Sequence, residues 1–111
     1  MGYPWKLVGT HIDNLAEVLR EQGEPALARD TSKLLKKHLK AWYIMATDEG
    51  KSAIFNALYF VRKEIKEYQW TPHSADDVWE RVKTAAYRAI GRRAALHYGT
   101  TKEDWEAGRA W

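Results

Sequence analysis

The stretch PALARDTSKLLKKHLKAWYIMA, residues 25–46, decides the fold class of this chain. Its apolar and weakly polar positions recur every three or four residues, which is the spacing of one face of an α-helix. These positions are Leu27, Thr31, Leu34, Leu35, His38, Leu39, Trp42 and Met45. Pro25 suits the first helical position, because a residue there has no helical partner for its N–H group. The stretch therefore predicts an amphipathic helix from Pro25 to about Ala46.

Two further amphipathic patterns flank this helix. Before it, Thr10 is placed to cap a helix that ends before Gly23, and residues 1–9 precede that helix as an aromatic arm. After it, residues 47–50 (Thr-Asp-Glu-Gly) predict a tight connection to a third helix. The predicted inner face of the first helix is Ile12, Leu15, Ala16 and Leu19. That of the third helix is Ile54, Ala57, Leu58, Val61, Ile65 and Tyr68.

The last third of the chain contains one long helical pattern and one short one. Ser74 and Asp77 form an N-cap signal, and the helix behind them runs from about Ala75 to Tyr98, where Gly99 stops it. Residues 102–110 follow a second cap signal and predict a short closing helix. The predicted inner face of the long helix is Val78, Trp79, Val82, Ala86, Ala89 and Ile90.

These patterns predict an all-α protein, a compact up-down bundle of four main helices plus a short C-terminal helix. A chain of 111 residues has room for one core, so we expect residues 1–111 to fold as a single helical domain. The composition, with 45% hydrophobic and 30% charged residues, is globular and excludes wholesale disorder. No run of alternating apolar residues is long enough to indicate a strand.

Composition and motifs also exclude several kinds of site. The chain has no cysteine, so a disulfide framework, a thiolate nucleophile and a zinc-thiolate cluster are excluded. The sequence contains neither an H-E-x-x-H motif nor a paired E-x-x-H motif, and we expect neither a metal nor a cofactor. No apolar stretch approaches the roughly 18 residues that cross a bilayer. We therefore expect a cytoplasmic protein without membrane contact.

Basic residues are concentrated in two helical strips. Residues 31–70 hold eight basic and four acidic side chains, a net charge of +4, whereas residues 1–30 hold three and five, a net charge of -2. On a helical wheel the lysine strip of the second helix lies opposite its leucines and comprises Lys33, Lys36, Lys37 and Lys40. The arginine strip of the fourth helix comprises Arg81, Arg88 and Arg92. If both strips face the same side, seven cations are available for a phosphate backbone; otherwise they are solvated faces of amphipathic helices.

A basic pair is also predicted on the inner sector of the fourth helix. Arg93 and His97 are four residues apart and within reach of each other. A structural interpretation is that both satisfy the carbonyl groups at the helix C-terminus. A functional interpretation is that His97 exchanges a proton at a scissile phosphate while Arg93 stabilises the developing charge.

The residues Arg92-Arg93-Ala94-Ala95-Leu96-His97 resemble the Arg, four-to-six residues, His motif of HEPN domains, a family of helical ribonucleases and nucleotide-binding modules. The resemblance covers the last main helix alone. It implies that Arg92 and His97 are the catalytic residues of an RNA-cleaving site formed between the protomers of a dimer. Two positions depart from the family pattern: Arg93 stands where Asn, Asp or His is usual, and Gly99 stands where Tyr is frequent.

We interpret the sequence as that of a non-catalytic helical subunit of a nucleoprotein assembly. Such a subunit would contact RNA or single-stranded DNA through the two basic strips, and protein partners or further copies of itself through exposed aromatic residues. Its size, class and charge are similar to those of the small helical subunits of CRISPR effectors and viral nucleoproteins. Two alternatives remain open: a HEPN-like ribonuclease that uses Arg92 and His97, and a protein–protein adaptor without a nucleic-acid role.

Overall fold

The computed structural model of this chain describes residues 4–97, apart from the side chains of Met45 and of residues 90–97. Four α-helices account for most of this range: α1 (Trp5–Glu21), α2 (Pro25–Met45), α3 (Asp48–Glu67) and α4 (Ala75–His97). No strand occurs between residues 4 and 97. The structure confirms the predicted all-α bundle of four main helices. The predicted short helix at residues 102–110 lies outside the described residues.

The bundle consists of two helical hairpins packed against each other. α1 and α2 form the first hairpin, and α3 and α4 form the second. α1 packs beside α3, and α2 packs beside α4, whereas the consecutive helices α2 and α3 lie at opposite corners and make few contacts. α4 therefore contacts α2 on one flank and α3 on another.

Local signals in the sequence set the helix boundaries. The Thr47 hydroxyl accepts a hydrogen bond from the Gly50 N–H group at 3.2 Å, so Thr47 caps α3. The Ser74 hydroxyl accepts one from the Asp77 N–H group at 3.4 Å at the start of α4. Pro25 occupies the first turn of α2 as predicted. Gly23 adopts a φ of 84° just past α1, a left-handed conformation that glycine tolerates without a steric penalty.

The core lies where the inner faces of the four helices meet. Its largest fully buried side chains come from all four helices: Val8, Ile12, Leu15, Leu19, Leu35, Leu39, Ile54, Leu58, Val61, Ile65 and Val78. Most predicted inner positions are thereby confirmed, but Tyr68 and Ala89 are exposed, and the side chains of Met45 and Ile90 lie outside the described part. Tyr68 follows the last residue of α3, where the chain turns through Gln69 with a φ of 54°, so the helical periodicity no longer holds. Ala89 borders a surface groove between α3 and α4.

The N-terminal boundary of α1 differs from the prediction. α1 begins at Trp5, so residues 5–9 are helical and the predicted arm is wrong for them. The predicted cap residue Thr10 lies inside the helix, where its hydroxyl donates to the Lys6 carbonyl at 3.1 Å. Tertiary packing explains the longer helix, because Val8 is fully buried and the Trp5 ring packs on the Tyr43 ring of α2 with centroids 5.7 Å apart.

Within residues 4–97 no helix combines the length and the hydropathy that crossing a bilayer demands.

Thr31 offers a test of core energetics. It is fully buried, and its hydroxyl has no hydrogen-bond partner within the described range. We expect Thr31→Val to raise the free energy of unfolding by about 1 kcal/mol, because it removes an unsatisfied polar group while keeping the shape. Urea denaturation measures this change. Thr31→Ser, which keeps the hydroxyl and loses the methyl group, should instead be destabilising, and a Val variant no more stable than wild type would contradict the expectation.

Candidate functional site

The lysine strip lies on the outer flank of α2. Lys33, Lys37 and Lys40 are exposed, and none has a carboxylate within ion-pair distance among the described residues. Lys36 is half-buried and forms an ion pair with Asp13 of α1, with 2.8 Å between Nζ and Oδ1. Ser32 donates a hydrogen bond to the same carboxylate at 3.2 Å. Three of the four predicted lysines are thus available to an anion, and the fourth is held by the first helix.

Two members of the arginine strip, Arg81 and Arg88, line the groove between α3 and α4. The Nε atom of Arg81 lies 3.6 Å from Oε1 of Glu64 on α3. The Arg81 guanidinium also stacks on the Trp70 ring, 4.5 Å from its centroid. Arg88 is exposed and has no carboxylate partner in the part of the chain that the structure describes. The side chain of Arg92 lies outside that part.

The structure does not bring the two basic strips together. Trp79 of α4 faces α2, where it stacks on His38 with centroids 4.8 Å apart and contacts Trp42 at 5.2 Å. Residues two positions apart on a helix point in nearly opposite directions, so Arg81 faces away from α2. The lysine strip turns toward α1, as the Lys36 ion pair shows. The four lysines therefore do not share a face with Arg81 and Arg88, the two arginines of the strip whose side chains are described.

The groove between α3 and α4 was not predicted from the sequence. It has a volume of about 750 Å³, and small residues such as Ala57 and Ala85 line it together with Phe60 and Trp70. Oε1 of Glu64 is buried beside it without a hydrogen bond, because 3.6 Å to Arg81 allows charge attraction but exceeds hydrogen-bond length. The signal that could have revealed the groove is Phe60, a large apolar residue outside the predicted inner face of α3.

The residues proposed for catalysis lie at the end of α4. The backbone of α4 includes Arg92, Arg93 and His97, but their side chains are outside the described part of the chain. The predicted pairing of Arg93 with His97 and the HEPN-like arrangement of Arg92 and His97 therefore stay predictions. Among the residues whose side chains are described, no group of three His, Asp or Glu is placed to hold a metal ion.

His38 and His11 are half-buried rings at helix interfaces. His38 stacks on Trp79, and burial lowers its pKa below the ordinary value. The positive charges of Lys37 and Lys83 lower that pKa further, whereas Asp76 opposes them. His11 packs on Phe55 of α3 with ring centroids 4.1 Å apart, and burial followed by the charge of Arg62 lowers its pKa. Both imidazoles are thus held in the neutral form by the folded protein.

The chain matches no protein-family model, no curated protein and no solved structure. The lysine strip and the groove between α3 and α4 are the two surface features of the described residues that suggest a function.

The two histidines predict a loss of stability in mild acid. Below a pH of about 6.5 the unfolded chain takes up protons that the folded chain accepts only at lower pH, so the free energy of unfolding falls as the pH decreases. Urea denaturation between neutral pH and pH about 5 measures this slope. We expect His38→Gln and His11→Gln each to flatten the slope. Equal slopes in wild type and in both variants would contradict the assignment.

Proposed function

We propose that this protein is a non-catalytic subunit that binds the phosphate backbone of single-stranded nucleic acid through the lysine strip of α2. The observation that carries the proposal is the row of three exposed lysines, Lys33, Lys37 and Lys40, without carboxylate partners in the described range. The row extends over about 10 Å of helix axis, at a rise of about 1.5 Å per residue. A strand in duplex DNA has one phosphate about every 3.4 Å of axis and a single strand is more extended, so the row reaches at most about three phosphates.

Neighbouring side chains limit the strength of this surface. Asp13 holds Lys36, although an ion pair between partly exposed groups contributes little and can exchange for a phosphate. Arg29 and Asp30, both exposed, precede the strip and nearly cancel each other in net charge. We therefore assign the main contacts to Lys33, Lys37 and Lys40, with a smaller contribution from Lys36.

The proposed mechanism is electrostatic and independent of sequence. Each lysine that contacts a phosphate releases condensed counterions, so the affinity falls as the salt concentration rises. Among the described residues, the exposed rings of Tyr59, Phe60 and Tyr68 lie on α3 or just after it and not beside the strip, so the proposed contact is with phosphates and not with bases. With so few contacts a single copy binds weakly, which suits a cytoplasmic subunit that acts within a larger nucleoprotein assembly.

Binding of labelled single-stranded RNA, followed by fluorescence anisotropy against salt concentration, tests the proposal. The variant Lys33→Gln/Lys37→Gln/Lys40→Gln should bind more weakly at low salt. The slope of log K against log salt should decrease in magnitude by about 2, because each phosphate contact on a single strand contributes about 0.7. The same oligonucleotide sequence as DNA should bind similarly, since the lysines contact phosphates alone.

A matched control variant separates the effect of the lysine strip on affinity from the effect of net charge. The variant Lys6→Gln/Lys63→Gln/Lys66→Gln removes the same charge from exposed positions on α1 and α3 and should retain most of the affinity. Equal losses in the two variants, or no binding of wild type at low ionic strength, would overturn the proposal. If the wild type degrades RNA and His97→Ala abolishes that degradation, the non-catalytic part of the proposal is wrong.

A further inference from the structure

An exposed aromatic surface lies along α3 next to the groove. Tyr59 is 55% exposed and Phe60 is 52% exposed, and Phe60 also lines the groove. Small soluble proteins expose single apolar residues often, but a groove with adjoining exposed rings marks a contact surface. This surface is separate from the lysine strip, because it belongs to α3 and α4 and not to α2.

Charges along the α4 wall of the groove differ at its two ends. Asp77 and Glu80 lie toward the N-terminus of α4, and Arg88 lies two to three turns further on. Arg81, which lies between these residues on α4, already forms an ion pair with Glu64 of α3. Glu80 also contacts Lys83 of the same helix at 2.8 Å; the Lys83 side chain is largely covered, but Glu80 is exposed and its carboxylate can accept a second cation. The wall is therefore acidic at one end and basic at the other.

A surface with this polarity complements an inverted copy of itself. Interfaces in two-fold dimers are isologous, so each residue pairs with a different residue of the same surface. A two-fold axis perpendicular to the helices and in the plane of the α3–α4 face places α4 antiparallel to α4 of the second copy. Arg88 of each copy then comes alongside Glu80 of the other. The midpoint of this pairing is at Thr84, which lines the groove together with Phe60.

The same axis places an amide group level with the Glu64 carboxylate. On α3, Phe60 lies midway between Asn56 and Glu64, four residues from each. Inversion about Phe60 therefore brings Asn56 of one copy level with Glu64 of the other. Asn56 and Glu64 both line the groove, and the Glu64 side chain is 20% exposed there. The Asn56 amide is thus a donor that can face this carboxylate across the interface.

We propose that the α3–α4 face binds a second copy of this chain across a two-fold axis near Phe60, with reciprocal Glu80–Arg88 ion pairs. The exposed rings of Tyr59 and Phe60 supply the apolar centre of this interface, and the charged pairs form its rim. The proposal is independent of nucleic-acid binding, since none of its residues belongs to the lysine strip.

Sedimentation velocity of the full chain over a range of concentrations, without nucleic acid, tests the proposal. We expect a reversible dimer for the wild type. Glu80→Arg and Arg88→Glu should each raise the dimer dissociation constant at least about tenfold, because each places like charges opposite one another. The double variant Glu80→Arg/Arg88→Glu restores both pairs with exchanged signs and should recover most of the affinity. Asn56→Ala should weaken the dimer, and Lys33→Glu on α2 serves as the charge control and should leave it unchanged.

Circular dichroism of every variant checks that the helices are retained, so that a loss of dimer is distinct from a loss of fold. A wild type that stays monomeric at all concentrations would overturn the proposal. A double variant that dimerises no more tightly than the single variants would also overturn it. In the antiparallel register the two exchanged charges should pair again.

Discussion

The packing of Trp79 against α2 fixes the rotation of α4, and much of the surface chemistry of the protein depends on it. The Trp79 ring stacks on His38 and contacts Trp42 edge-on, so this side of α4 is buried against α2. Once Trp79 faces α2, the helical repeat requires Arg81 to face α3, where it meets Glu64 and Trp70. One buried aromatic contact thus assigns the arginines to the groove and leaves the lysines of α2 as a separate surface.

The separation of the two surfaces matters for function because each surface belongs to a different hairpin. The lysine strip belongs to the first hairpin, and the groove with its exposed rings belongs to the second. Under the two proposals, nucleic acid and a second copy bind to different hairpins and do not compete. A dimer would carry two lysine strips, and two weak electrostatic sites on one particle give a higher overall affinity for a long polyanion than either site alone.

The electrostatic contacts of the two surfaces differ in kind. Lys33, Lys37 and Lys40 are solvated point charges on flexible stems, which suits contact with a phosphate chain that has no fixed register. Arg81 is held by stacking and by an ion pair, so it is part of the scaffold of the groove. Its guanidinium covers Trp70 and keeps a charged group near the otherwise unsatisfied carboxylate of Glu64. Among these four cations, the three lysines are exposed without a partner, whereas Arg81 is held in place by its neighbours.

The sequence by itself determined the all-α class, the four main helices and most of their buried positions, because helical periodicity and capping residues such as Thr47 and Ser74 act over a few residues. It also determined that Lys33, Lys37 and Lys40 lie on an outer flank. Only the tertiary structure decided the start of α1 at Trp5, since that helical turn depends on the burial of Val8 and on contact with Tyr43. The separation of the basic strips and the groove beside Phe60 were likewise decided by which helices become neighbours, a long-range choice that no local pattern of residues contains.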